Sequence, residues 1–174
     1  MRWTSRQPFV PPSLLDHLDR MRLRRAALRY AAQGWVVVRR RRPAAVLLAT
    51  GETFDVLEVP AALGRRALAV PGPVAVTAAG RWMFFVQPGL ILRSELDDRT
   101  DVVRHGPGSW VPAAPSRLAE GPIRWAVAPE RTRWRLPDPR DVQAQLTDAL
   151  GALHVPAVPR PAVPRQLSTG RRSG

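Results

Sequence analysis

The sequence predicts an α+β domain with a mostly antiparallel mixed sheet and flanking helices. Three observations lead there. Apolar runs of strand length recur between residues 35 and 129, separated by turns that carry glycine or proline. Two longer segments with helical spacing bracket them, at residues 14–33 and 139–153. The resulting order, α β β β α β β β β α, places strands next to strands, which points to hairpins rather than a purely parallel sheet.

Each element has its own signals. Ser13 can cap a first helix, with Asp16 three residues on. Within 14–33, Leu14, Leu18, Met21 and Leu28 repeat at helical spacing, and Gly34 sits at the expected C-cap. WVVV (35–38) reads as a strand, then Arg39, Arg40, Arg41 and Arg42 follow and Pro43 closes the run. AVLLAT (45–50) and TFDVLEV (53–59) read as strands joined in a hairpin at Gly51-Glu52. Pro60 opens a short helix over AALGRRALAV, which PGP (71–73) breaks. VAVTA (74–78) and RWMFFV (81–86) flank Ala79-Gly80, a second hairpin. Residues 87–100 read as a loop. DVVRHGPGSWVPAAPS (101–116) gives a short strand, a glycine turn and a proline-rich strand, with IRWAVAP (123–129) as its expected partner. Pro139 starts a last helix, with Val142, Leu146, Ala149, Leu150 and Leu153 on one side. The division expected is a flexible segment 1–12, a domain over 13–153 and a disordered Pro/Arg-rich tail over 154–174.

Composition narrows the function classes. There is no cysteine, which removes disulfides and thiolate metal sites. No apolar run approaches the roughly 18 residues a membrane span needs, and the N-terminus lacks the apolar stretch of a secretory signal, so the expectation is a cytoplasmic chain. The net charge of +13 is carried by arginine alone. Residues 1–42 hold 11 Arg against 2 Asp, residues 43–150 hold 12 Arg and 12 acids, and the last 24 residues add 4 Arg and no acid. Basic ends around a neutral body suit a polyanion, nucleic acid ahead of an anionic membrane. Arg22, Arg25 and Arg29 on the first helix and Arg39–Arg42 after the first strand are the candidate phosphate-contacting residues. The alternative for Arg39–Arg42 is charge that protects an edge strand.

Four stretches, in order, carry a family resemblance. LRYAAQGW (28–35) resembles the opening of bacterial primase-polymerase domains, and VLEVP (56–60) their first acidic strand. TAAGRWMFFV (77–86) resembles their glycine-containing hairpin. DVVRHGPGSWVPAAPS with GPIRW (121–125) resembles their last acidic strand, glycine turn and closing Arg-Trp. Over roughly residues 24–150 the chain is similar to the short actinobacterial proteins of the bifunctional DNA primase/polymerase N-terminal domain family, as a degenerate member. The resemblance implies an RNA-recognition-motif-like catalytic fold, Mg²⁺ or Mn²⁺ as cofactor, and nucleotide addition to a DNA strand, with RNA second. It implies Glu58 and Asp101 as catalytic residues, with Asp55 joining them as metal ligands.

The residues test that implication. Two-metal transfer needs clustered carboxylates, and the family's first motif places two acids at i and i+2 on one strand face. Here Asp55 and Glu58 are three apart, so a regular strand sends them to opposite faces. Pro60 falls where the second acid belongs and Trp82 where the family has a triphosphate-binding histidine. A bulge near Leu57 would bring Asp55 round. Otherwise Glu58 and Asp101 are strand-end acids paired with arginines such as Arg81 or Arg104. His105, Gly106 and Gly108 form a turn that could face a phosphate or simply reverse the chain. Trp35, Trp82, Trp110, Trp125 and Trp134 are candidates to stack bases; Trp35, Trp82 and Trp125 lie in apolar strands and read rather as core, and Trp134, between Arg133 and Arg135, is the better stacking candidate. Without lysine no GxxxxGK[ST] loop can occur. The expectation is therefore a primase/polymerase-like, nucleic-acid-binding domain with nucleotidyl transfer weakened or lost. The alternative is a non-catalytic interaction module whose proline-rich tail docks a protein partner.

Overall fold

The computed structural model describes residues 12–41, 44–69 and 71–154. Nearly all of the expected segment 1–12 and tail 154–174 therefore lies outside the described residues. In order come helix α1 (Pro12–Ala32), strands β1 (Val37–Arg41), β2 (Ala44–Ala49) and β3 (Asp55–Pro60), and helix α2 (Ala61–Gly64). Strands β4 (Val74–Val76) and β5 (Arg81–Val86), helix α3 (Ser94–Asp97), and strands β6 (Val103–His105) and β7 (Trp110–Ala113) follow. A ribbon of β8 (Arg117–Leu118) and β9 (Gly121–Pro122), strand β10 (Arg124–Val127), a 3-10 turn (Pro129–Thr132) and helix α4 (Pro139–His154) complete the domain. This is an α+β fold, and every strand pair in it is antiparallel.

Two sheets carry the architecture. One has three strands in the order β1-β2-β7; the other has five, in the order β10-β4-β5-β3-β6. The larger sheet is buried on both faces. Phe54, Val56, Ala75, Met83 and Phe85 point to one side, against Val46, Leu48, Val111 and Ala113 of the small sheet and Leu23, Ala26 and Tyr30 of α1. Leu57, Val59, Trp82, Phe84 and Val86 point to the other, against Leu63, Leu96, Val142 and Leu146 from the α2, α3 and α4 side. Side chains alternate with period 2 along each strand, so β3 and β5 feed both cores and read as nearly continuous apolar runs. Gly64 is small because Trp82 lies against it: a Cβ there would meet Trp82 Cγ at 2.4 Å.

Several expectations change in the fold. The Gly51-Glu52 turn does not close a hairpin. It passes the chain from the small sheet to the large one, because β2 is flanked by β1 and β7 and β3 by β5 and β6. Segment 123–129 does not pair with the 101–116 strands either; β10 pairs with β4, since β7 has joined β2. The Ala79-Gly80 hairpin forms as the sequence indicates, with Thr77 N–H bonded to Arg81 O at 2.9 Å. The helix after Pro60 is one turn only, and the 87–100 segment contains α3.

Helix α1 docks by a different face from the one its leucines suggest. Leu18, Met21 and Leu28 are exposed, whereas Leu23, Ala26, Ala27 and Tyr30 are buried. The two alanines let the helix lie close to the sheets, and Tyr30 anchors it. Helix α1 also begins at Pro12, so Ser13 is inside it rather than capping it. Its C-terminus ends as expected: Gly34 takes φ +78°, and Trp35 N–H and Gly34 N–H bond back to Tyr30 O and Ala31 O. On α4, Val142, Leu146, Ala149 and Leu150 are buried as expected but Leu153 is exposed.

Tyr30 joins four parts of the chain. Its hydroxyl donates to Ala114 O at 2.5 Å and accepts from Trp125 Nε1 at 3.1 Å, and its ring stacks on Trp35. Burial pushes its phenol up to about 12. A raised acid of this kind contributes stability that is complete below the unfolded value of 10.0 and is lost as pH rises toward about 12. Tyr30→Phe is expected to cost about 1–3 kcal/mol by leaving two partners unsatisfied. It should also flatten the alkaline decline of the denaturation midpoint, measured by circular dichroism between about pH 9 and 12.

Candidate functional site

The three carboxylates singled out by sequence do not converge. The β3–β5 pairing runs residue for residue from Asp55↔Val86 to Pro60↔Arg81, so there is no bulge at Leu57. Asp55 shares its parity with Leu57 and Val59, which face the helices. Glu58 shares the parity of Val56, which faces the small sheet. The offset of three along an unbroken strand therefore separates them, as period 2 requires.

Asp55 is a buried brace. Its Oδ2 accepts the backbone N–H groups of Gly89 and Leu90, both at 2.8 Å. This fixes the loop after β5 against β3, and Arg104 pins the same loop by donating to Leu90 O at 3.1 Å. Asp101 lies before β6 and is held by Arg99 in a two-pronged pair, at 2.9 and 2.7 Å. The Arg99 bond holds the Asp101 carboxyl below its ordinary range.

Glu58 is the centre of a cluster. Directly opposite it are Met83 on β5 and Val103 on β6. Its partners sit one diagonal step away on each side. Arg81 Nε reaches Oε1 at 2.7 Å from β5, and His105 Nε2 lies 2.9 Å from Oε2 on β6. Diagonal positions on neighbouring strands are within reach of long side chains. Arg81 is itself set in place by its backbone N–H, which donates to Thr77 Oγ1 at 3.0 Å. The His105 bond, then that of Arg81, holds the Glu58 carboxyl below its usual value against the opposing effect of burial.

A cleft of about 240 Å³ opens beside this cluster, between the large sheet and the β7–β9 segment. Met83, Pro112, Leu118 and Ile123 give it an apolar lining. Glu58, Thr77, Arg81 and Glu120 give it polar groups.

These donors do not fit a pair of divalent ions. Hard cations of the Mg²⁺ type need several oxygens around one point. Asp55 faces the helix layer, and Asp101 is engaged by Arg99. Both oxygens of Glu58 already accept bonds from cationic or imidazole groups. Among the described residues, no three His, Asp or Glu side chains are grouped to hold a metal ion. The expected ligand set Asp55, Glu58 and Asp101 is thus not gathered as one group: Asp55 turns to the helix side, and Glu58 and Asp101 are each engaged by an arginine.

The other candidates are placed as follows. His105 is not a loop residue; it lies in β6 and bonds Glu58. Gly106 and Gly108 build a turn: Gly106 O accepts from Thr50 Oγ1 at 2.5 Å, and Gly108 takes φ +81°. Trp134 is not a free stacking platform, because it packs edge-on against Tyr30 and Trp35. Trp35 and Trp82 are buried, Trp125 packs against the core, and Trp110 is 44% exposed. Arg22, Arg25 and Arg29 are all exposed on α1, with Arg22 near Asp19 at 3.5 Å and Arg29 near Glu130 at 3.1 Å. Exposed pairs of this kind contribute little. Arg39, Arg40 and Arg41 belong to β1, an edge strand of the small sheet, and Arg42 lies outside the described residues. Thr77, Leu118, Glu120 and Ile123 of the cleft have no local signal in the sequence; only the assembly of distant strands brings them together. Compared with protein-family models, curated proteins and solved structures, the chain matches none.

A depressed carboxyl contributes stability that is present above its unfolded value and is lost as pH falls through its lower folded value. Denaturant midpoints of the native chain should therefore drop as pH is taken from about 5 to about 3, and Glu58→Gln should shrink that drop. Arg81→Ala, which leaves the buried side of Glu58 short of a partner, should cost about 1–3 kcal/mol at neutral pH.

Proposed function

We propose that this chain is a nucleic-acid-binding domain of the primase-polymerase type in which metal-dependent nucleotidyl transfer is weakened or lost. The observation that carries the reading is the unbroken register of β3. It divides Asp55 from Glu58 and leaves Glu58 paired with Arg81 and hydrogen-bonded to His105. Two-metal chemistry needs the acids together and free to ligate.

The family part of the reading is supported by where its sequence stretches fall. VLEVP lies on β3, and TAAGRWMFFV spans the β4–β5 turn and β5. The last block supplies β6, β7, β9 and the start of β10. Of these, β3, the β4–β5 turn, β5, β7 and β9 line the cleft beside Glu58. The nucleic-acid part is supported by charge. Arg20, Arg22, Arg24, Arg25 and Arg29 are exposed along α1, while residues 43–150 carry equal numbers of arginines and acids. A basic helix on a neutral body can track a phosphate backbone, with DNA preferred to RNA on the resemblance.

Fluorescence anisotropy with a labelled single-stranded DNA tests the binding. Affinity should fall steeply with salt, and Arg22→Ala, Arg25→Ala and Arg29→Ala together should reduce the log–log salt slope by about 2. An unchanged slope removes α1 from the binding surface. Primer extension with Mn²⁺ tests the chemistry. Product that forms with the native chain and vanishes in Glu58→Ala and Asp101→Ala would show that transfer survives.

A further inference from the structure

We propose that the cleft beside Glu58 is a base-reading pocket, and that it takes guanine in preference to the other bases. The inference rests on the nucleic-acid-binding reading above and goes beyond it in naming what enters the cleft.

Charge decides the ligand class first. In a chain of net charge +13, the cleft is lined by two carboxylates, Glu58 and Glu120, and one guanidinium, Arg81. Phosphate is disfavoured by the two carboxylates. A simple cation is disfavoured by the positive charge of Arg81, whose guanidinium lies 2.7 Å from the Glu58 oxygen it bonds. The remaining class is a neutral ligand that offers both hydrogen-bond donors and acceptors along one edge.

Size and lining come next. About 240 Å³ with an apolar lining that includes Met83 and Ile123 suits one heteroaromatic ring system rather than a whole nucleotide. A nucleobase matches both conditions: it has an apolar face and a polar edge.

The arrangement of polar atoms then selects the base. Each Glu58 oxygen accepts one bond from protein, Oε1 from Arg81 and Oε2 from His105, and each has a second lone pair. A carboxylate in that state can accept two adjacent N–H groups. Guanine alone presents such a pair on its Watson–Crick edge, N1–H beside the N2 amino group. Its O6 and N7 accept from arginine, and the Nη1 end of Arg81 is not used in either bond to Glu58. Cytosine and adenine each offer one amino group beside an acceptor. They would leave one carboxylate oxygen facing a lone pair.

The test uses the full chain and nucleosides without phosphate. Guanosine, cytidine and adenosine are titrated separately by isothermal calorimetry. Guanosine should bind at least about tenfold more tightly than the other two, and guanosine monophosphate should bind no more tightly than guanosine. Glu58→Gln should weaken guanosine by about tenfold or more. Because that variant disturbs the Arg81–His105 cluster, Ala78→Trp serves as the second. Ala78 is an exposed residue of the β4–β5 turn that lines the cleft, so a large side chain there blocks entry without touching the core. It should abolish guanosine binding while the salt slope for DNA stays that of the native chain. Equal affinity for all three nucleosides, or binding of arginine amide in place of guanosine, overturns the proposal. If guanosine fails to bind and DNA still binds, the pocket alone is wrong; if DNA also fails to bind, the reading beneath it fails too.

Discussion

The alternation of side chains along β3 governs where the polar groups of this domain point. Six residues, Asp55 to Pro60, pair without a slip to β5 and, over their middle, to β6. A strand enclosed on both faces must send each successive residue to a different core. Val56 goes to the layer shared with α1 and the small sheet, and Leu57 to the layer shared with the helices. A one-residue slip would exchange the two sets and drive Glu58 into the helix-side core, which holds Leu63, Leu96 and Leu146. Packing therefore fixes the direction of every polar group on the strand.

From that constraint the electrostatics follow. A buried carboxylate needs partners, because desolvation of an unpaired charge is costly. Asp55 finds two backbone N–H groups and becomes a loop brace. Glu58 finds one long side chain on each neighbouring strand. The result is a cleft with an apolar lining in which Glu58 is paired with Arg81 and Glu120 is a second carboxylate. A site of this kind is suited to recognising a neutral polar edge. It is poorly suited to gathering the several free oxygens that divalent ions require.

The basic part of the molecule is organised separately. Helix α1 presents small residues and Tyr30 to the sheets and keeps its arginines outside. Tyr30 contacts Trp35, Trp125 and Trp134 by its ring and Ala114 by its hydroxyl, so the helix is locked where these distant segments meet. The arginines thus project from a fixed support. The outward positions of Leu18, Met21 and Leu28 show that α1 carries apolar residues on two sides, only one of which the domain covers.

What the sequence determined by itself was local. The run TFDVLEV implied a strand, and the spacing of Asp55 and Glu58 implied opposite faces; both hold because strand parity depends only on counting residues. The Gly34 cap, the Ala79-Gly80 hairpin and the last helix were legible for the same reason. The tertiary structure decided the rest. Leu14, Leu18, Met21 and Leu28 gave the cleaner helical period, yet the docked face is Leu23, Ala26, Ala27 and Tyr30, because close approach to the sheets rewards small residues and one anchoring ring. Gly51-Glu52 looked like a hairpin, yet β2 and β3 entered different sheets, since pairing partners are chosen by the whole core. His105 and Arg81 meet at Glu58 from strands 47 and 23 residues away. No local rule could bring them together, because contacts across neighbouring strands depend on sheet order, and sheet order is settled only when the two cores pack.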